Sequence, residues 1–265
     1  MIASTIILPY LDPDAFSLGP FSVKWYAIAY VIGIVYTYFF LARHSGLESK
    51  ELDSFFCYGT LGVILGGRLG YILFYNLEYY VTHPLETLMV WNGGMSFHGG
   101  LIGVLLGIFL FSRRYSRAFF SLSDLCACTA SLGICLGRIA NFINAELCGR
   151  ATQHSWGVVF PNSDGIPRHP TQLYEAMSEG LLLFIVMQVL LFGTSIKRSS
   201  GMLSGIWITL YGFARIVMEN FREPDPQIGY FFSSITMGQI LSLPLILSGI
   251  MIILLSLKKQ KTFHR

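Results

Sequence analysis

The sequence predicts an all-α integral membrane protein with seven transmembrane helices, an amphipathic arm and a small external head. Three observations predict it. Of its 265 residues, 53% are hydrophobic and 12% charged, with a mean hydropathy of +0.58, far more apolar than an ordinary soluble domain. Several apolar runs reach the roughly twenty residues that a helix needs to cross a bilayer core. None has the short alternating segments of an outer-membrane barrel, so the spans are helical.

Apolar runs broken by polar or turn-forming residues place the spans at 22–42, 54–76, 96–112, 119–144, 171–193, 202–221 and 236–257. The first twenty residues, MIASTIILPYLDPDAFSLGP, hold no Lys or Arg and carry Asp12 and Asp14. That is the wrong charge pattern for a cleaved signal peptide, so the N-terminus is read as mature. Residues 77–95 mix acids with Tyr79, Tyr80, Leu88, Met89 and Trp91, an amphipathic composition suited to an arm lying in the headgroup layer. Residues 146–170, with Pro161, Asp164, Gly165 and Pro167, predict the head. No linker or low-complexity tract divides the chain, and residues 1–265 are read as one domain. Glycines recur at four-residue spacing at 62, 66 and 70, at 99, 103 and 107, at 133 and 137, and at 201 and 205. Such small residues let helix backbones approach closely in lipid.

With the N-terminus outside, eleven of the eighteen basic residues fall in inner segments, whereas the outer segments hold Lys24, Arg150, Arg168 and Arg222. The positive-inside rule therefore orients the chain with its N-terminus out and its C-terminus in. In that orientation Arg68, Arg138 and Arg215 lie in the outer halves of spans two, four and six. His98 opens span three, and His169, Gln172 and Glu175 open span five, at the same level. An arginine at mid-bilayer costs about 2.5–3.5 kcal/mol on insertion scales, so a shared depth points to a shared purpose. Arg138, Asn141 and Asn144 fall within about 120° of one helix face. Tyr211, Arg215 and Glu219 form a second stripe at i, i+4, i+8. The structural alternative pairs Arg215 with Glu219, and Arg138 with Glu146 or a carbonyl.

Guanidinium groups at headgroup depth suit an anionic group arriving through the membrane, a phospholipid phosphate above all. His98, with an unperturbed pKa near ~6.5, is a candidate proton acceptor. The five cysteines, 57, 126, 128, 135 and 148, lack the paired spacing of a zinc site and read as packing residues. No HExxH, Walker or GxSxG pattern occurs, so neither a metal nor a cofactor is expected. An alternative reading, an anionic-phospholipid transporter or flippase, uses the same arginines; the lack of a matching polar stripe toward the inner side beyond Asp124 counts against it.

The stretch GRIANFINAELCG (137–149) resembles the signature of the bacterial phosphatidylglycerol–prolipoprotein diacylglyceryl transferases. GGRLGYILFYN (66–76), FHGGLIG (97–103) and YGFARIVMENFREPD (211–225) are similar to the same family, and the likeness runs from about Pro20 to Leu255. The resemblance implies seven membrane helices with a periplasmic head in the bacterial inner membrane. It also implies transfer of the diacylglyceryl group of phosphatidylglycerol to the lipobox cysteine thiol of a prolipoprotein, with release of glycerol phosphate. The partners implied are phosphatidylglycerol, lipobox-bearing signal peptides and the bilayer, with no nucleic acid and no cofactor. Carried over by motif position, Arg138 binds the lipid phosphate beside Asn141, Arg215 is the second essential arginine, and His98 is the candidate base. Tyr26, Arg68, Asn144, Glu146, Gly149, Tyr211 and Glu219 complete the residues expected to bind phosphatidylglycerol. Ala140 and Ala145 stand where glycine is common, and Cys148 where an aromatic residue is expected.

Overall fold

The computed structural model describes residues 6–19, 21–90, 93–161, 163–223, 231 and 235–263; for Leu18, Phe97, His98 and residues 261–263 it describes the backbone alone. The predicted spans appear as helices. They are α1 (Trp25–His44), α2 (Ser49–Tyr75), α4 (Phe97–Arg114), α5 (Phe119–Ile143), the run α6 (Thr171–Glu175) to α7 (Leu183–Gly193), α8 (Met202–Met218) and α9 (Met237–Phe263). Among the described residues, five of these are long and apolar enough to cross a membrane: Trp25–His44, Ser49–Tyr75, Phe119–Ile143, Thr171–Gly193 and Met237–Gln260. Met202–Met218 is apolar but shorter. Between α6 and α7 the backbone winds as a π-helix over Ala176–Leu182, a local widening that recurs at functional sites.

The chain forms two compact units, residues 38–125 and the remainder, with the boundaries falling inside α1 and α5. In the first unit, α2 and α4 pack glycine against glycine. A Cβ on Gly70 would lie 2.7 Å from Gly99 Cα, and one on Gly107 would lie 2.5 Å from Tyr58 O. Only bare backbone permits that approach, so the four-residue glycine spacing is the contact surface itself. Each helix has a defined start. Glu48 and Glu51 form a reciprocal capping box on α2, and the Ser96 hydroxyl accepts from Gly99 N at 3.2 Å on α4.

The predicted arm follows α2 as α3 (Leu77–Thr82) and a 3₁₀ turn, Pro84–Leu88. Leu77, Val81, Leu85 and Leu88 are exposed along it; Trp91 lies outside the described residues. Arg68 is buried at the arm's base, where its donors meet backbone carbonyls: Nε to Thr87 at 2.9 Å, Nη2 to Glu86 at 2.5 Å, and Nη1 to Gly93 and to Gly94. Its guanidinium also covers the Tyr80 ring at 5.0 Å.

In the other unit α8 packs on α9, again through glycine: a Cβ on Gly205 would lie 2.9 Å from Gly249 O. Two small sheets add to the all-α expectation. Strands β2 (Asp14–Leu18) and β3 (Phe21–Lys24) form an antiparallel hairpin, and β1 (Ile6–Ile7) pairs parallel with β4 (Val158–Val159) in the predicted head. The head closes over Val158 and Phe160, both buried, and Phe160 meets Phe142 edge-on at 5.9 Å. Isolated bridges join Ala151 and Val158 to Arg168, and Gly149 to Arg222.

Candidate active site

The signature begins at the end of α5. Asn144 closes that helix, Glu146 N donates to Asn141 O at 2.9 Å, and Ala145 N donates to Phe142 O at 3.1 Å. This pair of bonds is a Schellman motif with Ala145 as its left-handed residue, φ 54°. It explains the glycine expected there, since a left-handed turn carries no steric cost for glycine. The reversal returns Glu146 to the helix face it has just left. Tyr26 Oη donates to Glu146 Oε2 at 2.7 Å, Asn141 Nδ2 donates to Tyr26 Oη, and Asn144 Nδ2 reaches Glu146 Oε1 at 3.4 Å. From α6, Gln172 Nε2 donates to Glu146 O at 2.6 Å.

Gly149 lies where the chain crosses the segment after α8. Its N–H donates to His169 O at 3.0 Å, and a Cβ there would sit 2.5 Å from His169 O and 2.7 Å from Phe221 O. Its place in the signature is thus a requirement for close backbone approach. Arg150 reinforces the crossing through Nε to Arg222 O at 2.8 Å and Nη2 to Glu219 O at 3.2 Å.

Arg138, three residues before Asn141, points into a different network. Its Nε lies 2.9 Å from Glu175 Oε2 and its Nη2 lies 3.6 Å from Glu179 Oε2. Arg215 shares both acids, with Nη1 at 3.2 Å from Glu175 Oε1 and 3.7 Å from Glu179 Oε1, while Nη2 binds Glu219 Oε1 at 2.6 Å. Arg222 Nη1 reaches Glu175 Oε1 at 3.5 Å. Glu219 also accepts from Thr236 Oγ1 at 2.8 Å. Three guanidiniums thus face three buried carboxylates. The arginines keep side-chain exposures of 18% for Arg138 and 17% for Arg215, whereas Glu175 and Glu179 have 2% and 0%. The acids back the guanidiniums from the protein interior, and the arginines reach the surface.

The predicted stripe from Arg138 to Asn144 therefore divides between two networks. Arg138 pairs with Glu175 and Glu179 rather than with Glu146, and the Arg215–Glu219 pair forms as the structural alternative anticipated. Tyr211 stacks on Trp207 at 5.3 Å with the rings 6° from parallel. Trp207 Nε1 in turn donates to Ser131 Oγ at 2.7 Å. Arg68 and His98 belong to residues 38–125; His98 lies in the first turn of α4, and its side chain is outside the described residues.

The family model described as prolipoprotein diacylglyceryl transferase matches residues 13–255. The chain belongs to this family. Among its relatives named phosphatidylglycerol–prolipoprotein diacylglyceryl transferase, that of Rickettsia typhi is 46% identical over 249 residues, 92% of this chain and 96% of the relative. That of Rickettsia bellii is 47% identical over 251 residues, covering 93% and 95%. That of Paramagnetospirillum magneticum is 46% identical over 257 residues, covering 95% and 96%.

In this diacylglyceryl transferase family member the charged network also includes residues that the sequence alone does not assign to it. Glu179 and Thr236 carried no expectation, Glu175 was noted only for its depth, and Arg222 was counted only as an outer base. A signal for the acids exists: Glu175 and Glu179 are the only charged residues in the span 171–193, and they stand at i, i+4. Two acids in an apolar span require partners.

Proposed function

We propose that this chain transfers the diacylglyceryl group of phosphatidylglycerol to the lipobox cysteine thiol of prolipoproteins, releasing glycerol phosphate. Membership of the family carries the reading, together with the paired Arg138 and Arg215 guanidiniums, each backed by the same two buried acids. In this reading the seven helices span the bacterial inner membrane with the N-terminus and head in the periplasm, and the lipid phosphate binds the exposed side of the two guanidiniums.

The thiolate attacks the glyceryl carbon bearing the phosphate ester; the C–S bond forms as the C–O bond breaks, and the electron pair leaves on the phosphate oxygen. A free thiol has a pKa near ~8.5, so it must lose its proton first, either to His98 or with the thiolate stabilised by guanidinium charge. The departing monoester gains negative charge, and pre-positioned arginines stabilise it as oxyanion-hole donors would. Asn141, Asn144, Glu146 and Tyr26 hold the turn that presents the head group, with Gly149 at its end. Tyr211 and Glu219 support Arg215. Arg68 directs its donors to arm carbonyls and holds the arm.

The test uses purified protein in micelles with phosphatidylglycerol and a synthetic lipobox peptide. Mass spectrometry should find the diacylglyceryl adduct on the peptide, and none on its Cys→Ser version. Recovery of unchanged lipid with unmodified Cys peptide would overturn the assignment. For the base, His98→Gln should alter the pH profile of transfer; an unchanged profile would leave thiolate formation to the arginines.

A further inference from the structure

Of the three buried carboxylates, Glu179 is the one that no hydrogen bond holds. Glu175 lies 2.9 Å from Arg138, 3.2 Å from Arg215 and 3.5 Å from Arg222. Glu219 has Arg215 at 2.6 Å and the Thr236 hydroxyl at 2.8 Å. Glu179 has a side-chain exposure of 0%, and among the described residues neither of its oxygens has a hydrogen-bond partner. Arg138 and Arg215 approach those oxygens at 3.6 and 3.7 Å, within ion-pair range but beyond a hydrogen bond. Among the described residues the groups that face Glu179 are few. Arg138 comes from α5, Arg215 and Tyr211 come from α8, Arg222 lies beyond α8, and Glu175 is one turn back on its own helix. Cys135 of α5 packs against the neighbouring Gly180.

The charges of the three arginines and three acids cancel when all are ionised. A bound phosphodiester adds one negative charge to this buried, balanced set. Uncompensated charge away from water is costly, and a site relieves it by taking a proton where the anion is held least. We propose that Glu179 takes up one proton when the phosphate of phosphatidylglycerol binds Arg138 and Arg215, and gives it up when the phosphate monoester leaves the site. The proposal rests on the phosphate-clamp reading above. The proton balance closes: one proton enters from solvent on binding, and the thiol loses one before attack. The C–O electron pair goes to phosphate oxygen, the monoester leaves, and Glu179 returns its proton to solvent and is again a carboxylate. Glu179 is on this account a positioning residue for the guanidinium pair and the site's proton store.

The experiment measures kcat and KM for phosphatidylglycerol in mixed micelles from mildly acid to mildly alkaline pH. In the unmodified protein KM should rise with pH, approaching the tenfold per unit that uptake of one proton requires. Glu179→Gln, neutral at every pH, should flatten that slope and bring the alkaline KM down to its acid value. A Glu179→Gln protein that keeps the parent's slope overturns the proposal. If that variant does not fold, Glu179→Asp serves: the slope should persist with its midpoint displaced, and an unmoved midpoint counts against Glu179. The clamp is tested apart, at a single pH. Arg138→Lys and Arg215→Lys should each raise KM there, and unchanged KM in both removes the clamp, whatever slope Glu179 gives.

Discussion

Arg138 and Arg215 converge from α5 and α8 on the same two acids. That geometry sets what each substitution removes. Arg138→Ala would take from Glu175 its nearest partner and from Glu179 one of two, and breaking a buried pair costs up to about 3–5 kcal/mol, confusing lost folding with lost chemistry. Arg138→Lys keeps the charge and removes the planar fork. It should lower kcat/KM for diacylglyceryl transfer by about 10²-fold or more at normal protein abundance, the scale of losing one transition-state donor; steady-state kinetics on purified variant checks it. Cys148 is the contrasting residue. Half-buried beside Gln172 in the signature turn, its thiol is pushed up by burial, against a smaller downward pull from the Gln172 hydrogen bond. It is therefore a thiol at neutral pH and a poor nucleophile. Cys148 should resist maleimide labelling near neutrality, and Cys148→Ala should retain transfer, read by labelling stoichiometry and activity on one preparation.

At the level of elements, the end of α5 decides where the site's polar groups go. A Schellman turn places Glu146 on Asn141, a polar contact where such turns commonly carry a hydrophobic one. Ala145 holds its left-handed conformation at φ 54°. A β-branched residue there adds a clash to an already uncommon backbone, so Ala145→Val should lower stability by about 1–2 kcal/mol. Ala145→Gly should be tolerated. Thermal unfolding of both variants in detergent separates the two outcomes. The π-helical Ala176–Leu182 segment has a comparable role, because it carries Glu179 and brings Gly180 against α5, where a Cβ would lie 2.6 Å from Cys135 Cα. Helix periodicity carried no sign of this segment, since the span's apolar pattern is that of an ordinary membrane helix.

At the scale of the molecule, the loop 146–170 is one region whose stability responds to acid. Arg168 holds the Asp164 carboxyl below its usual range through a 2.8 Å ion pair, and also binds Glu223 at 3.1 Å. Burial holds His169 below the usual imidazole value, aided by the charge of His154. In both cases the folded group binds its proton less readily than the unfolded one. The stabilisation is then full above the unfolded pKa and declines as pH falls, through about 6.5 for the histidine and about 3.9 for the aspartate. Melting temperature should drop on acidification in two steps, with Asp164→Asn reducing the lower one and His169→Gln the upper. The lower step should be small and salt-sensitive, because Asp164 is exposed.

The apolar helices were legible in the chain because apolar length is a local quantity, and the segments between them because polar and turn-forming residues mark their ends. Gly149 and Ala145 were legible as motif letters, but their reasons, a backbone crossing and a left-handed turn, were not. The tertiary structure alone decided which partner each charge takes. Arg138 turned to Glu175 and Glu179 on another helix, and Arg68 turned to the carbonyls of the arm. A helical wheel shows the face of a side chain but not the neighbour that packs against it. The energy of a buried charge depends on that neighbour, so the pairings, and the weakly held Glu179 among them, exist only in the folded molecule.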